Sequence, residues 1–172
     1  MPLALITGAS TGIGAAIAHA LAPHYKLLLA GRPSARLAEI AAELSADTVP
    51  LDLSDTERVA EVVAAITELD VLVHNAGVAH PGRVGESTAA QWRDTFEVNV
   101  TGAVALTLAV LPALRAARGQ VVFINSGAGL NVSPGLASYS ASKFAAKAFA
   151  DSLRADEPLL RVTSIHPGRV DT

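Results

Sequence analysis

Short runs of almost continuous apolar residues alternate along the chain with longer stretches in which apolar residues recur every three or four positions. Leu3-Ala4-Leu5-Ile6-Thr7, Lys26 to Ala30, Thr48 to Leu51, Val71 to Val73 and Val121 to Ile124 are the short runs, and Arg161 to His166 is read as a sixth strand. Apolar continuity, rather than alternation, marks strands buried on both faces. The Ala-rich stretch from the first glycines to Ala22, stopped by Pro23, reads as a helix, as do Ser34 to Leu44, Thr56 to Glu68, Ala89 to Ala117 and Tyr139 to about Ala155. Ser34 is placed to cap the second helix, with Leu37, Ile40, Ala41 and Leu44 on its inner face. Pro112 predicts a kink in the long one. Residues 78–88 and 127–137 read as loops.

Strand and helix alternate throughout without repeat or linker. That pattern predicts one α/β domain over residues 1–172: a doubly wound, Rossmann-like parallel sheet in a three-layer αβα arrangement, with strand order 3-2-1-4-5-6. Its ligand crevice would lie at the carboxyl ends of the strands. At 172 residues and 51% hydrophobic, the chain is long and apolar enough for one sizeable core. The net charge of -3, with 13 Lys and Arg residues forming no block, argues against a nucleic-acid partner. There is no cysteine, which removes disulfides, thiol catalysis and thiolate metal sites and fits a reducing, cytoplasmic setting. No His or carboxylate grouping predicts a metal site. Ala103 to Leu114 is the most apolar segment, but Thr107 and Pro112 interrupt it, and it reads as a buried helix rather than a membrane span. The N-terminus carries no basic region before its apolar run and does not read as a signal peptide.

Candidate chemistry falls at the strand ends. Thr7-Gly8-Ala9-Ser10-Thr11-Gly12-Ile13-Gly14 joins the first strand to the first helix. Glycines there let the backbone turn tightly and approach a ligand, and a helix start offers N–H groups and a positive dipole end to a pyrophosphate. The second strand ends in Gly31-Arg32, where an acid would bind the ribose hydroxyls of NAD and an arginine can accommodate a 2′-phosphate. Asp52, after the third strand, is placed either to accept from an adenine amino group or merely to cap a turn. Ser126 follows the fifth strand. Tyr139 and Lys143 are four apart, on one helix face, where an ammonium favours the phenolate form of a neighbouring phenol. Alone, that pair equally describes an exposed helix with an incidental Tyr and Lys.

Taken together, these motifs resemble the short-chain dehydrogenase/reductase family from the first strand to the last residue. The matching elements are Thr7-Gly8-x-x-x-Gly12-Ile13-Gly14, Asp52, Asn75-Ala76-Gly77, Asn99, Ser126, Tyr139-x-x-x-Lys143 and Pro167-Gly168-x-Val170-x-Thr172. The resemblance implies that Tyr139 is general acid toward a carbonyl, or base toward an alcohol. It implies that Lys143 tunes the tyrosine and holds the nicotinamide ribose, that Ser126 donates to the substrate oxygen, and that Asn99 supports a water leading to Lys143. It further implies a cofactor site of Gly8, Ser10, Thr11, Gly12, Ile13, Gly14, Arg32, Asp52 and Leu53, with Asn75, Ala76 and Gly77 near the adenine-side ribose or in the crevice floor. Tyr139, Lys143, Pro167, Gly168, Val170 and Thr172 complete it, the last two at the nicotinamide carboxamide. Arg32 favours NADP(H) over NAD(H), although Thr11 occupies a position that is often basic in NADP-preferring members. His74 stands where the family motif has its first Asn, replacing a side chain but not the turn.

Family members usually continue past the Pro-Gly motif with a substrate-covering segment, another helix and a seventh strand, which this sequence does not contain. The reading is thus an NADP(H)-dependent carbonyl reductase or alcohol dehydrogenase acting on a small molecule. A non-catalytic dinucleotide sensor and a cofactor-retaining epimerase or dehydratase remain the alternatives. Ala103, Ala105, Leu106, Val110, Ala145, Ala146, Ala148 and Phe149 put apolar residues on more than one face of their helices, which fits a homodimer or tetramer.

Overall fold

The computed structural model describes residues 1–168 and Val170. Six parallel strands, β1 (Leu3–Thr7), β2 (Lys26–Gly31), β3 (Asp47–Pro50), β4 (Val71–His74), β5 (Gln120–Ile124) and β6 (Arg161–Ile165), lie in the order β3-β2-β1-β4-β5-β6. This is the predicted order, with strand ends moved by a residue or so. Chirality explains the two layers of helices, because right-handed crossovers run one way from β1 to β3 and the other way from β4 to β6. Along β1, Ala4 and Ile6 enter the core beneath α1 (Gly12–Leu21) and α2 (Ala35–Leu44), while Leu5 enters the opposite one. That opposite core lies beneath α3 (Thr56–Val63), α5 (Gly102–Ala117) and α6 (Ala137–Asp156), and receives Leu72 of β4 with Val121 and Phe123 of β5. Burial on both faces is the physical reason for the apolar continuity of these strands.

The helices follow from local chemistry. Ser34 caps α2, its Oγ accepting from the Leu37 N–H at 3.2 Å, and Leu37, Ile40 and Ala41 are buried. The third helix ends at Val63 rather than Glu68. No Gly or Pro stops it. The chain leaves the helix so that Leu69, fully buried, and Asp70 can dock on β1, where the Asp70 N–H donates to the Leu3 carbonyl and its carboxylate accepts from the Leu3 N–H at 2.7 Å.

The long helix differs more. It is divided into α4 (Ala89–Phe96), a π turn over Glu97–Thr101, and α5. The irregularity falls at Asn99, whereas Pro112 lies inside α5, which runs on to Ala117. Ala89–Ala117 is long and apolar enough to cross a membrane by length and composition, but Leu106, Val110 and Leu114 are buried against the sheet, as in a core helix.

The β5–β6 ladder also ends for a definable reason. Asn125 donates to the Ile165 carbonyl at 2.8 Å, but the residue that should answer is Pro167, which has no N–H.

Candidate active site

At the carboxyl ends of β1 to β4 lies a crevice of about 1250 Å³. Gly8, Ser10, Thr11, Gly12 and Ile13 line one wall, Arg32, Asp52 and Leu53 the far end, and Asn75, Ala76, Gly77 and Tyr139 the other side. Twelve residues from separate segments of the sequence thus share one cavity. Pro33, Ser34, Ser54, Val78, Val98 and the His80–Asp94 pair line it too, and none of these was expected from the sequence as a site residue.

The glycine turn is shaped by one residue above all. Gly8 has φ +66°, in the left-handed region that favours glycine. Gly14 is buried behind the turn, where a Cβ would collide with the Gly8 carbonyl oxygen and Asn75 Nδ2. The Asn75 side chain is therefore turned toward the loop: Nδ2 donates to the carbonyls of Thr7 and Gly8, each at 3.0 Å. It braces the crevice floor. Thr7 Oγ1 completes the brace, donating to the Val73 carbonyl and accepting from the N–H groups of Asn75 and Ala76. Thr11, the residue before α1, makes no side-chain cap, which leaves the helix N–H groups open toward the crevice.

At the far end, both Ser54 bonds to Asp52 fall on Oδ1, from the backbone N–H at 2.9 Å and the hydroxyl at 2.7 Å. They hold the Asp52 carboxyl below its ordinary pKa, with a lesser contribution from the charge of Arg32. Asp52 is therefore a turn cap, and its Oδ2 stays available to a ligand.

The end of the crevice nearest Tyr139 is backed by the π turn. Asn99 is buried, and its Oδ1 accepts from the Val78 N–H at 2.8 Å while Nδ2 donates to the Val78 carbonyl at 2.9 Å and to Ser142 Oγ at 3.0 Å. Ser142 in turn donates to the Tyr139 carbonyl at 2.7 Å. One side chain thereby ties the loop after β4 to the helix bearing Tyr139 and Lys143. Extra residues in a helical turn commonly re-aim a side chain at a functional site, which fits this placement.

Lys143 is buried, donates to the Ile124 carbonyl at 3.1 Å, and lies 5.5 Å from the centre of the Tyr139 ring. Burial pushes its ammonium down to about 8, so it remains mostly charged at neutral pH. Gly77 keeps the approach open, since a side chain there would start 3.2 Å from Asn99 Oδ1 and 3.7 Å from Lys143 Nζ. Asn125 supports the same turn of α6, donating to the Lys143 carbonyl at 3.1 Å.

Ser126 sits at the end of β5 with its Oγ accepting from the Ala128 N–H at 3.1 Å. It does not line the crevice, nor do Gly14, Asn99, Lys143, Pro167, Gly168 and Val170, and Thr172 falls outside the described residues. His74 is buried rather than exposed. It stacks on Phe123 at 4.8 Å, and its Nε2 lies 2.8 Å from Thr107 Oγ1. Burial, with a smaller push from Lys143, lowers its pKa to about 3, so it is neutral core.

Residues 2–172 match the family model described as short chain dehydrogenase. The chain belongs to the short-chain dehydrogenase/reductase family. An uncharacterised oxidoreductase of Staphylococcus saprophyticus is 36% identical over 184 residues, covering 99% of this chain and 79% of its own length. Dehydrogenase/reductase SDR family member 7B of Mus musculus is also 36% identical, and this chain spans 57% of it. Among solved structures, an alcohol dehydrogenase from the archaeon Thermococcus sibiricus, complexed with 5-hydroxy-NADP, superposes with a TM-score of 0.93 at 34% identity. That match covers 100% of this chain and 78% of the other.

Short-chain dehydrogenases bind a nicotinamide dinucleotide, and this crevice fits one: it encloses about 1250 Å³, it opens on an uncapped helix start, and the buried Lys143 ammonium lies next to Gly77 and Tyr139, which line it.

Proposed function

We propose that this short-chain dehydrogenase/reductase is an NADP(H)-dependent carbonyl reductase or alcohol dehydrogenase, with Tyr139 as its general acid and base. The observation that carries the reading is the Asn99–Ser142–Tyr139 chain of bonds beside a buried Lys143, with Tyr139 lining a crevice of about 1250 Å³. When bound, the nicotinamide supplies the hydride. The chain's own groups do the rest. Tyr139 gives its proton to the oxygen of a carbonyl as charge develops there, and takes it back from an alcohol in the reverse direction. Ser126 donates a hydrogen bond to that same oxygen. Lys143 holds positive charge next to the phenol and offers its remaining N–H groups to a ribose. Asn99 fixes the turn and the loop between which a proton-carrying water would stand.

Consumption of NADPH against a panel of aldehydes and ketones tests this reading. A sensor would bind the cofactor without consuming it.

Arg32 supports the choice of NADP(H). It is exposed at the end of β2, beside Ser34 and opposite Asp52, with no acid in the strand-end position. A guanidinium bonded to a 2′-phosphate contributes roughly 1.5 to 3 kcal/mol, or about ten- to a hundredfold in cofactor preference. Thr11 adds at most a hydroxyl, so the lower half of that range is expected. Gly31→Asp with Arg32→Ala should reverse the kcat/KM ratio of NADPH to NADH while sparing the rate with the preferred cofactor. Equal wild-type ratios at one salt concentration would mean that Arg32 serves only the solvent. The Thermococcus relative, whose structure holds an NADP analogue, is consistent with the preference.

A further inference from the structure

His166 immediately precedes Pro167-Gly168 and is partly buried. Its Nδ1 lies 3.0 Å from the Ser126 carbonyl oxygen. A carbonyl can only accept, so Nδ1 carries the hydrogen and donates; in the neutral ring Nε2 is then the bare acceptor. The next backbone group is held as well, since the Gly127 N–H donates to the Pro167 carbonyl at 2.9 Å. The Ser126 carbonyl and the Gly127 N–H are the two ends of one peptide unit. Two consecutive residues, His166 and Pro167, therefore grip that unit at both ends.

This matters because of what surrounds the peptide. Gly127 has the conformational freedom to let the unit rotate. Pro167 has no N–H with which to extend the ladder back toward β5. The imidazole supplies a different bond from the β6 side, to the Ser126 carbonyl rather than to the Asn125 carbonyl left without a ladder partner. Ser126 is extended, at φ −165° and ψ 156°, and its Oγ accepts from the Ala128 N–H two residues on. Rotation of the 126–127 unit would move that N–H, and with it the direction in which the hydroxyl donates.

We propose that His166 is a positioning residue for the reaction: it clamps the Ser126–Gly127 peptide and thereby aims the Ser126 hydroxyl at the substrate oxygen. The inference rests on the reading of Ser126 as the substrate's hydrogen-bond donor.

The test uses His166→Leu and His166→Asn in the full chain, with NADPH as cofactor and whichever carbonyl the wild type turns over best. Asparagine can present Nδ2 near the place of the imidazole Nδ1, whereas leucine keeps volume and loses the donor. His166→Leu should lower kcat by about ten- to a hundredfold, the scale of a misplaced reacting group. His166→Asn should recover most of the loss, and neither should change the NADPH dissociation constant measured by fluorescence. Nitrogen-15 NMR of the wild-type imidazole should show the hydrogen on Nδ1.

A wild-type kcat in His166→Leu overturns the proposal, as does an Asn variant as slow as the Leu variant, or a hydrogen on Nε2. Should the Leu variant fail to fold, His166→Gln replaces it, because its amide reaches toward the Nε2 position and cannot make the clamp. A wild type that binds NADPH but turns over no carbonyl overturns the functional reading and the kinetic role of His166 with it. Wild-type turnover untouched by loss of the donor overturns this proposal alone.

Discussion

Tyr139→Phe is expected to lower turnover by at least about a hundredfold, within the range for loss of a general acid, while leaving NADPH affinity nearly intact. The substitution removes one oxygen from a half-buried ring. Among the described residues no protein group is hydrogen-bonded to that oxygen, so the fold should not register its loss. The backbone carbonyl of the same residue, which receives Ser142, is untouched. Single-turnover kinetics alongside fluorescence titration of NADPH separates the two quantities. A variant retaining more than about a tenth of the wild-type rate would remove Tyr139 from the proton transfer. An equal loss of cofactor affinity would make the hydroxyl a binding group instead.

Lys143→Met should reduce both rate and cofactor affinity if, as proposed, one ammonium serves the phenol and the ribose. It carries a second signature that does not depend on activity. The folded chain holds Lys143 at about 8, against an ordinary value of 10.5, because burial disfavours the charge. Between those two pH values the unfolded chain binds a proton that the folded chain has released. Stability of the cofactor-free protein therefore rises with pH across this window, and below pH 8 the full cost of the buried charge is present, roughly 3 kcal/mol. Met cannot titrate. Denaturant melts of wild type and Lys143→Met at pH 7.5 and pH 10.5 should differ by about that amount in their pH-dependent change. Parallel changes in the two proteins would mean that the ammonium is well solvated in the folded state.

The sheet was readable because strands buried on both faces leave unbroken apolar runs, and Leu3 to Thr7 or Val121 to Ile124 have no other economical use. The cap at Ser34 was readable because it is a local device, complete within four residues. The π turn at Glu97–Thr101 was not. Glu-Val-Asn-Val-Thr has the composition of an ordinary helix, and the extra residue is stabilised by bonds from Asn99 to Val78 and Ser142, far away in the chain. For the same reason the end of α3 at Val63 was invisible: the docking of Leu69 and Asp70 on β1 decides it.

The site shows the same division. The residues lining the crevice fall at strand ends that the sequence marks with glycine or a polar residue. Asn125, Ser142 and His166, which bond to the carbonyls of Lys143, Tyr139 and Ser126, act through backbone groups that only the folded chain brings near. Asn75 shows how a residue can be placed correctly and understood incompletely: it lines the crevice, yet its amide is spent on the glycine turn.

The most direct measurement is isotopic. Wild-type protein is mixed with NADPH deuterated at the transferable position of C4 and a carbonyl substrate, and the products are examined by mass spectrometry. An oxidoreductase places one deuterium on the carbinol carbon of the alcohol and releases NADP⁺ in equal amount. Bound NADPH that keeps its deuterium through prolonged incubation, or deuterium that returns to the cofactor with no alcohol formed, would contradict the account.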